Sequence, residues 1–518
     1  MPERTTTDHD ATQVVDELAL CAREVETTIE NGDFQEAAVL IEQDPAGVWF
    51  GLEPYRTIEI LRQLLDNLAE VHQPILRSLH VLLESATQEH FDSPEFLSSV
   101  DFDNPREVYL LTLTRMGGYR MQGRATEALE QTRELHQQLG HMRPIVGSPD
   151  GLELHTTVQI AITAMLAGDF TEALTNFTRA QMHAPVPKFA FLTRDALTKA
   201  ALIHACFGNS TTARYLLQRA ETVPRTSSWA EDQIDAHRDF AKTLISTAGP
   251  EESLHKLRSI SLHDIGEMWP FYIMATHRIL ETSGDHDELE HQMEMFDSMP
   301  FPRRDGDGFS GSVIPLKRAL LAMKAGRGTE AQTFLDRADQ NFSYTQLIQS
   351  AAHIYAGRPQ QAIQDVTRLR PETRGFRLME VRRLAILAAA QYQSNENADC
   401  IDTLARASEL PRGLTPQEIQ IFSPETRELA AKHVSGWPTD SHHASTFLTG
   451  LPKPGLALTD REVEILQYLA QELSRAEIAE ATFISVNTLK THLKAIYRKL
   501  GVSSAADAII GAQRRGLL

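Results

Sequence analysis

One element recurs along most of this chain and limits what it can fold into. An apolar helix end runs into a turn holding Gly or Asn, and Glu-Ala-Leu or a variant follows. The clearest copy is Ala167-Gly-Asp-Phe-Thr-Glu-Ala-Leu174; others are Asn31-Gly-Asp-Phe-Gln-Glu-Ala-Ala38 and Gly123-Arg-Ala-Thr-Glu-Ala-Leu129. Looser copies start at Phe207, Gly249, Gly284, Gly326 and Ala356, and Asn395-Glu-Asn-Ala398 is a degenerate last one. Gly closes one helix by taking a positive φ. Glu opens the next near its positive end, and the small Ala lets the two helices approach. From Gly123 onward the turns are spaced by roughly 31 to 45 residues, the length of a helical hairpin repeat. A single hairpin cannot bury its apolar face, so neighbours must stack. The segment Ala167–Ala180 resembles tetratricopeptide repeats, although the period exceeds the ~34 residues of that family. The expectation is an all-α, tetratricopeptide-like helical-hairpin solenoid over residues 1–434. An irregular helical bundle is the alternative, and no hairpin boundary can be placed between Gly32 and Gly123.

Gly, Pro, Ser and Thr concentrate in Ser435–Thr446 and Gly450–Gly455, so residues 435–455 are expected to be a flexible linker. His442 and His443 lie in it without a second pair at ligand spacing, so no metal is expected there. Cys21, Cys206 and Cys400 are far apart and odd in number, which argues for free thiols in a reducing cytoplasm over a disulfide framework. The N-terminus lacks the apolar core of a signal peptide, and no run approaches the ~18 apolar residues of a membrane span. A cytoplasmic protein is expected.

Residues 456–518 read differently. Thr459-x-x-Glu462 and Ser474-x-x-Glu477 are capping boxes opening two helices. Ser485 caps a third that Gly501 ends, and Ser503 or Ser504 starts a fourth. Short helix, tight turn and longer helix make a helix-turn-helix. In the third helix Leu489, Leu493, Ile496 and Leu500 form one stripe; Asn487, Lys490, Thr491, Lys494 and Arg498 form the other. That second face is cationic and rich in hydrogen-bonding groups, as major-groove recognition requires. Lys490, Thr491 and Lys494 are expected at base edges, and Ser485, Thr488, Arg498 and Lys499 at phosphates. The chain's net charge is −20, but this segment carries about +1, so the acidity belongs to the helical array. That asymmetry suggests one mode of control, in which the acidic array folds over the cationic helix and holds it off DNA.

Leu458-Thr-Asp-Arg-Glu-Val-Glu-Ile-Leu466, Glu477-Ile-Ala479, Ile484-Ser485, Thr488-Leu-Lys-Thr-His-Leu493, Lys499-Leu-Gly-Val502 and Gly516-Leu-Leu518 together resemble the LuxR-type (NarL/FixJ) DNA-binding domain. The resemblance implies a four-helix LuxR-type helix-turn-helix domain. It also implies a third helix in the major groove and a fourth that often mediates dimerisation on DNA. Lys490, Thr491 and Lys494 fall on the family's base-reading positions and Thr488 on a phosphate-contacting one. This chain departs at Glu472 and Arg475, where the family usually has Gly and Asn, and at Ala505, where it usually has Arg. Leu414-Thr-Pro-Gln-Glu418 echoes the opening motif, but no second helix-turn-helix follows.

The input modules often joined to such domains leave no signal. Gly306-Asp-Gly-Phe-Ser-Gly311 lacks the Lys of a phosphate-binding loop and reads as a plain loop. The strand alternation of a receiver domain is missing. No nucleophile and base arrangement emerges, so neither catalysis, cofactor nor metal is expected. The expected partners are double-stranded DNA, bound as a dimer, and a protein or small-molecule effector on the array; no membrane is expected. The competing reading is an interaction scaffold whose terminal domain is vestigial or binds protein.

Overall fold

The computed structural model describes residues 17–68, 75–78, 92–142, 151–183, 185–246, 248–438, 447–451, 458–514 and 517–518. Helices and turns account for the regular structure among them, with no strand. Among the described residues nine helix pairs pack as hairpins. They are α1 (Glu17–Glu30) with α2 (Phe34–Gln43), α3 (Pro105–Met121) with α4 (Ala125–Met142), and α5 (Leu152–Ala167) with α6 (Phe170–Met182). Next come α7 (Ala190–Cys206) with α8 (Ser210–Thr222), α9 (Ala230–Leu244) with α10 (Pro250–Arg258), and α11 (Trp269–Ser283) with α12 (His286–Ser298). The last three are α13 (Gly308–Lys324) with α14 (Gly328–Asp336), α15 (Ser343–Tyr355) with α16 (Pro359–Arg368), and α17 (Arg377–Gln393) with α18 (Asn397–Ser408).

The recurrent turn works as its residues dictate. Gly168 takes φ +89° and ends α5; Asp169 then caps α6 by accepting the Glu172 amide at 2.9 Å. Asp33 and Asp285 cap α2 and α12 in the same way. The weaker copies turn by other means: Asn209 caps α8, and Gly249 keeps a negative φ before Pro250. In the degenerate copy Asn395 itself takes the left-handed conformation, φ +60°.

The stacked array closes on itself. Phe170, Phe207, Phe271, Phe309, Phe342 and Phe376, contributed by separate hairpins, are all buried in one cluster. The Phe170 ring lies 4.4–6.5 Å from the other five, within contact range for aromatic rings. Closure needs small residues: a Cβ on Gly308 (φ +58°) would stand 2.7 Å from the Ala167 Cα. Gly306–Gly311, expected as a loop, therefore contains the start of α13. Its glycines let that helix meet the α5–α6 turn, and a Cβ on Gly311 would strike the Arg304 carbonyl at 2.0 Å. Polar contacts complete the ring. Arg120 pairs with Glu267 at 2.6 Å, and Asp307 accepts the Thr126 amide at 2.7 Å.

Within 435–455, Phe447 and Leu448 are buried against the array, and the Tyr355 hydroxyl donates to the Thr449 carbonyl at 2.8 Å. His442 and His443 lie outside the described residues. Thr415 and Glu418 do form a capping box, on a short helix whose Glu418 pairs with Arg377. Cys21, Cys206 and Cys400 are free thiols. No helix among the described residues is long and apolar enough to cross a membrane.

Two buried histidines make the array acid-sensitive. His237 donates through Nε2 to the Ile265 carbonyl at 2.9 Å, while its Nδ1 is buried without a partner. Protonation would bury a charge near the Lys199 ammonium, so burial first and that cation second push its pKa down to about 3. Burial holds His277 well below its ordinary value too. The unfolded chain binds these protons first. Stability is therefore full above the unfolded pKa near 6.5 and falls as pH drops toward the folded values. His237 alone should cost roughly 1.4 kcal/mol per pH unit in that window, with His277 adding in the same direction. Denaturant midpoints from pH 7 to 4.5 check this; a flat series would contradict it.

Candidate nucleic-acid interface

Four helices form a compact C-terminal unit: α19 (Asp460–Ala470), α20 (Arg475–Ala481), α21 (Val486–Leu500) and α22 (Ala505–Arg514). Both expected capping boxes are present. Thr459 and Glu462 exchange hydrogen bonds at the start of α19, and Ser474 and Glu477 do so at the start of α20. Ser485 Oγ accepts the Thr488 amide at 3.0 Å and opens α21; Gly501, at φ +73°, closes it. Ile465, Leu466, Ile478, Leu489, Leu493, Ile496, Ala508 and Ala512 fill the core between the helices. Ala470, at the end of α19, is exposed.

The apolar stripe of α21 is buried, so its opposite face must point outward. Asn487, Thr488, Lys490, Thr491, Lys494 and Arg498 are all exposed. Ser485 is exposed too, but its hydroxyl is engaged, lying 2.8 Å from Thr488 Oγ1. Thr491 donates back to the Asn487 carbonyl at 3.2 Å, which engages its hydroxyl with the helix. Lys490, Lys494 and Arg498 make no ion pair among the described residues, so three cations lie along one exposed face. The turn before α21 is unusual: Phe483 takes φ +52° and is 96% exposed. Glu472, at the position where LuxR-type domains usually have glycine, also takes a left-handed φ of +60°.

Lys499 departs from expectation. Its Nζ lies 2.7 Å from Glu462 Oε2, in a pair with side-chain exposures of 14% and 5%. Glu462 thus serves the α19 capping box and neutralises the end of α21. Lys499 is turned inward by its register beside Leu500, and its ammonium is held by Glu462 rather than left free. Lys499→Ala would leave Glu462 buried and unpaired, at about 3 kcal/mol of stability. Denaturation should show that loss, while the salt dependence of DNA binding by the folded variant stays at the wild-type slope. A reduced slope at unchanged stability would restore the phosphate role.

The array does not cover α21. It meets the unit at α22, where Thr329 donates to the Gln513 carbonyl at 2.7 Å. Beside this contact a cleft of about 1160 Å³ runs between Gly326–Ala331 and Tyr355 on one side and Gly501–Val502 and Ile510–Gly511 on the other. Charged side chains, Lys324, Arg327 and Arg358 from the array and Asp507 from α22, line this cleft beside small and apolar ones such as Ala331 and Ile510. Among the described residues no cluster of three or more His, Cys, Asp or Glu side chains is arranged to hold a metal.

Residues 456–512 match the family model described as bacterial regulatory proteins, luxR family. The chain is 42% identical over 65 residues to the transcriptional regulatory protein LiaR of Bacillus subtilis (strain 168), covering 12% of this chain and 31% of that protein. It is 43% identical over 61 residues to the response regulator protein VraR of Staphylococcus aureus, 12% of this chain and 29% of that one. To a probable HTH-type transcriptional regulator, GfsR of Streptomyces halstedii, it is 32% identical over 137 residues, 26% of this chain and 50% of that one. The chain thus spans between about a third and a half of these relatives. A match of 137 residues is too long to be contained in the terminal unit, so that similarity takes in other residues as well.

Proposed function

We propose that this chain, whose C-terminal unit is a luxR-family helix-turn-helix domain, is a DNA-binding transcription regulator in which α21 reads the major groove. The observation that carries this is the exposed face of α21: three unpaired cations and two hydroxyl residues on a helix whose other side is locked into a core. Lys490, Thr491 and Lys494 face base edges, where a cation can bridge the two guanine acceptors and a threonine methyl can meet thymine. Thr488, Arg498 and the Ser485 end of the helix face phosphates. Residues 1–434 are the input region, and a dimer is the species on DNA. Titrating the full chain against genomic duplex fragments over a salt series tests the reading: affinity should fall steeply as salt rises. No duplex binding even at low salt would leave the interaction-scaffold alternative in its place.

A further inference from the structure

Separate hairpins bring three cations together inside the array. Lys317 on α13 and Arg382 on α17 flank Tyr344 of α15, and Arg278 on α11 lies near enough to Arg382 for the two charges to repel. Lys317 is 4% exposed; its Nζ donates to Tyr344 Oη at 3.1 Å and lies 5.1 Å from the ring centre. The Arg382 guanidinium carbon is 5.6 Å from the same ring, and its Nη1 is buried without an acceptor. Arg278 donates to the Ala205 carbonyl at 3.1 Å.

None of the three forms an ion pair among the described residues. The carboxylates whose charge reaches them are engaged elsewhere. Glu281 binds Lys324 and lies 3.8 Å from His277 Nδ1; Glu418 grips Arg377 through contacts of 2.5 and 2.9 Å. His277 adds no anion, and its Nε2 is buried without a partner. Lys317 is buried, and Arg278 and Arg382 are half-buried; burying a charge without a counter-ion costs several kcal/mol, of which a cation–π contact returns about 2. A charge balance this poor, built from separate helices, is that of a site awaiting an anion.

We propose that the cluster of Lys317 and Arg382 at Tyr344, with Arg278 beside Arg382, binds a small anionic ligand bearing a carboxylate or phosphate group. The ligand supplies the missing negative charge and ties α11, α13, α15 and α17 together. This deepens the reading of the array as an input region. It is tested without DNA, so its failure leaves the DNA-reading claim standing.

The test is thermal unfolding of the full chain in chloride, inorganic phosphate or citrate at about 10 mM and matched ionic strength. Phosphate or citrate should raise the array's Tm saturably, on the order of 3 °C, where chloride does not. A response to phosphate alone or to citrate alone identifies which group the site prefers. Lys317→Met should lose this increment and raise Tm in chloride, because it removes an uncompensated charge. Should that variant fail to fold, Arg382→Gln should lose the increment in its place. A wild-type Tm indifferent to both anions overturns the proposal. An increment that persists undiminished in the variants does so too, since it would then be a general salting effect.

Discussion

Lys490→Ala combined with Lys494→Ala is expected to weaken binding to the specific duplex by about a hundredfold or more while leaving thermal stability within about 0.5 kcal/mol of wild type. The two effects separate because of where the side chains sit. Both lysines are exposed and unpaired on the face of α21 opposite Leu489, Leu493 and Ile496, so their removal opens no cavity and strands no buried partner. Each base-edge hydrogen bond in the major groove is worth about 1–3 kcal/mol, and the double variant removes two such groups. Specificity should fall with affinity, so the ratio of specific to nonspecific binding is the decisive readout. Arg498→Ala is the comparison. A phosphate contact weakens all sequences alike when removed and lowers the salt slope by about one. Anisotropy titrations on a selected duplex and a scrambled one check both. Equal weakening on the two duplexes would demote the lysines to phosphate contacts.

The second large effect belongs to the array. Phe170→Ala should destabilise it by about 3–5 kcal/mol. Phe170 is 3% exposed and its ring meets five other phenylalanines drawn from separate hairpins. Truncation therefore removes a large buried area and leaves a void whose walls are held by those other hairpins. Because these contacts close the ring, the loss is expected in the array's unfolding transition. The transition of residues 458–518 should stay in place, since that unit has its own core. Phe483→Ala, at a ring 96% exposed, serves as the control and should shift neither transition appreciably. Urea denaturation followed separately for the two units measures this. A loss below about 1 kcal/mol would mean the ring contacts do not hold the array closed.

What was legible in the sequence was what short spacing encodes. Caps lie three residues from their targets, so Thr459 with Glu462, Ser474 with Glu477, and Ser485 with Thr488 could be read from residue order alone. The two faces of α21 follow from helical periodicity, and the Gly-Asp turn at Gly168 from the backbone freedom of glycine. What was not legible depends on partners far along the chain. Lys499 looks like its neighbour Arg498 until Glu462, 37 residues earlier, is placed beside it. Phe170 and Phe376 carry no sign that they meet, and Gly308 reads as a loop glycine until Ala167 is found against it. Arg278, Lys317 and Arg382 recur on hairpins as solvated charges would, and only the closure of the array buries Lys317 and half-buries the two arginines. The contact between array and terminal unit was equally unreadable, since net charge does not say which surfaces meet: Thr329 reaches the Gln513 carbonyl of α22.

Methylation interference with the full chain on a selected duplex tests the central claim most directly. Methylation at guanine N7 lies in the major groove, whereas methylation at adenine N3 lies in the minor groove. If α21 reads the major groove through Lys490, Thr491 and Lys494, N7 methylation of guanines within the site should abolish binding, and the Lys490→Ala, Lys494→Ala protein should lose that sensitivity. Interference confined to adenine N3, or none at any base, would contradict the account.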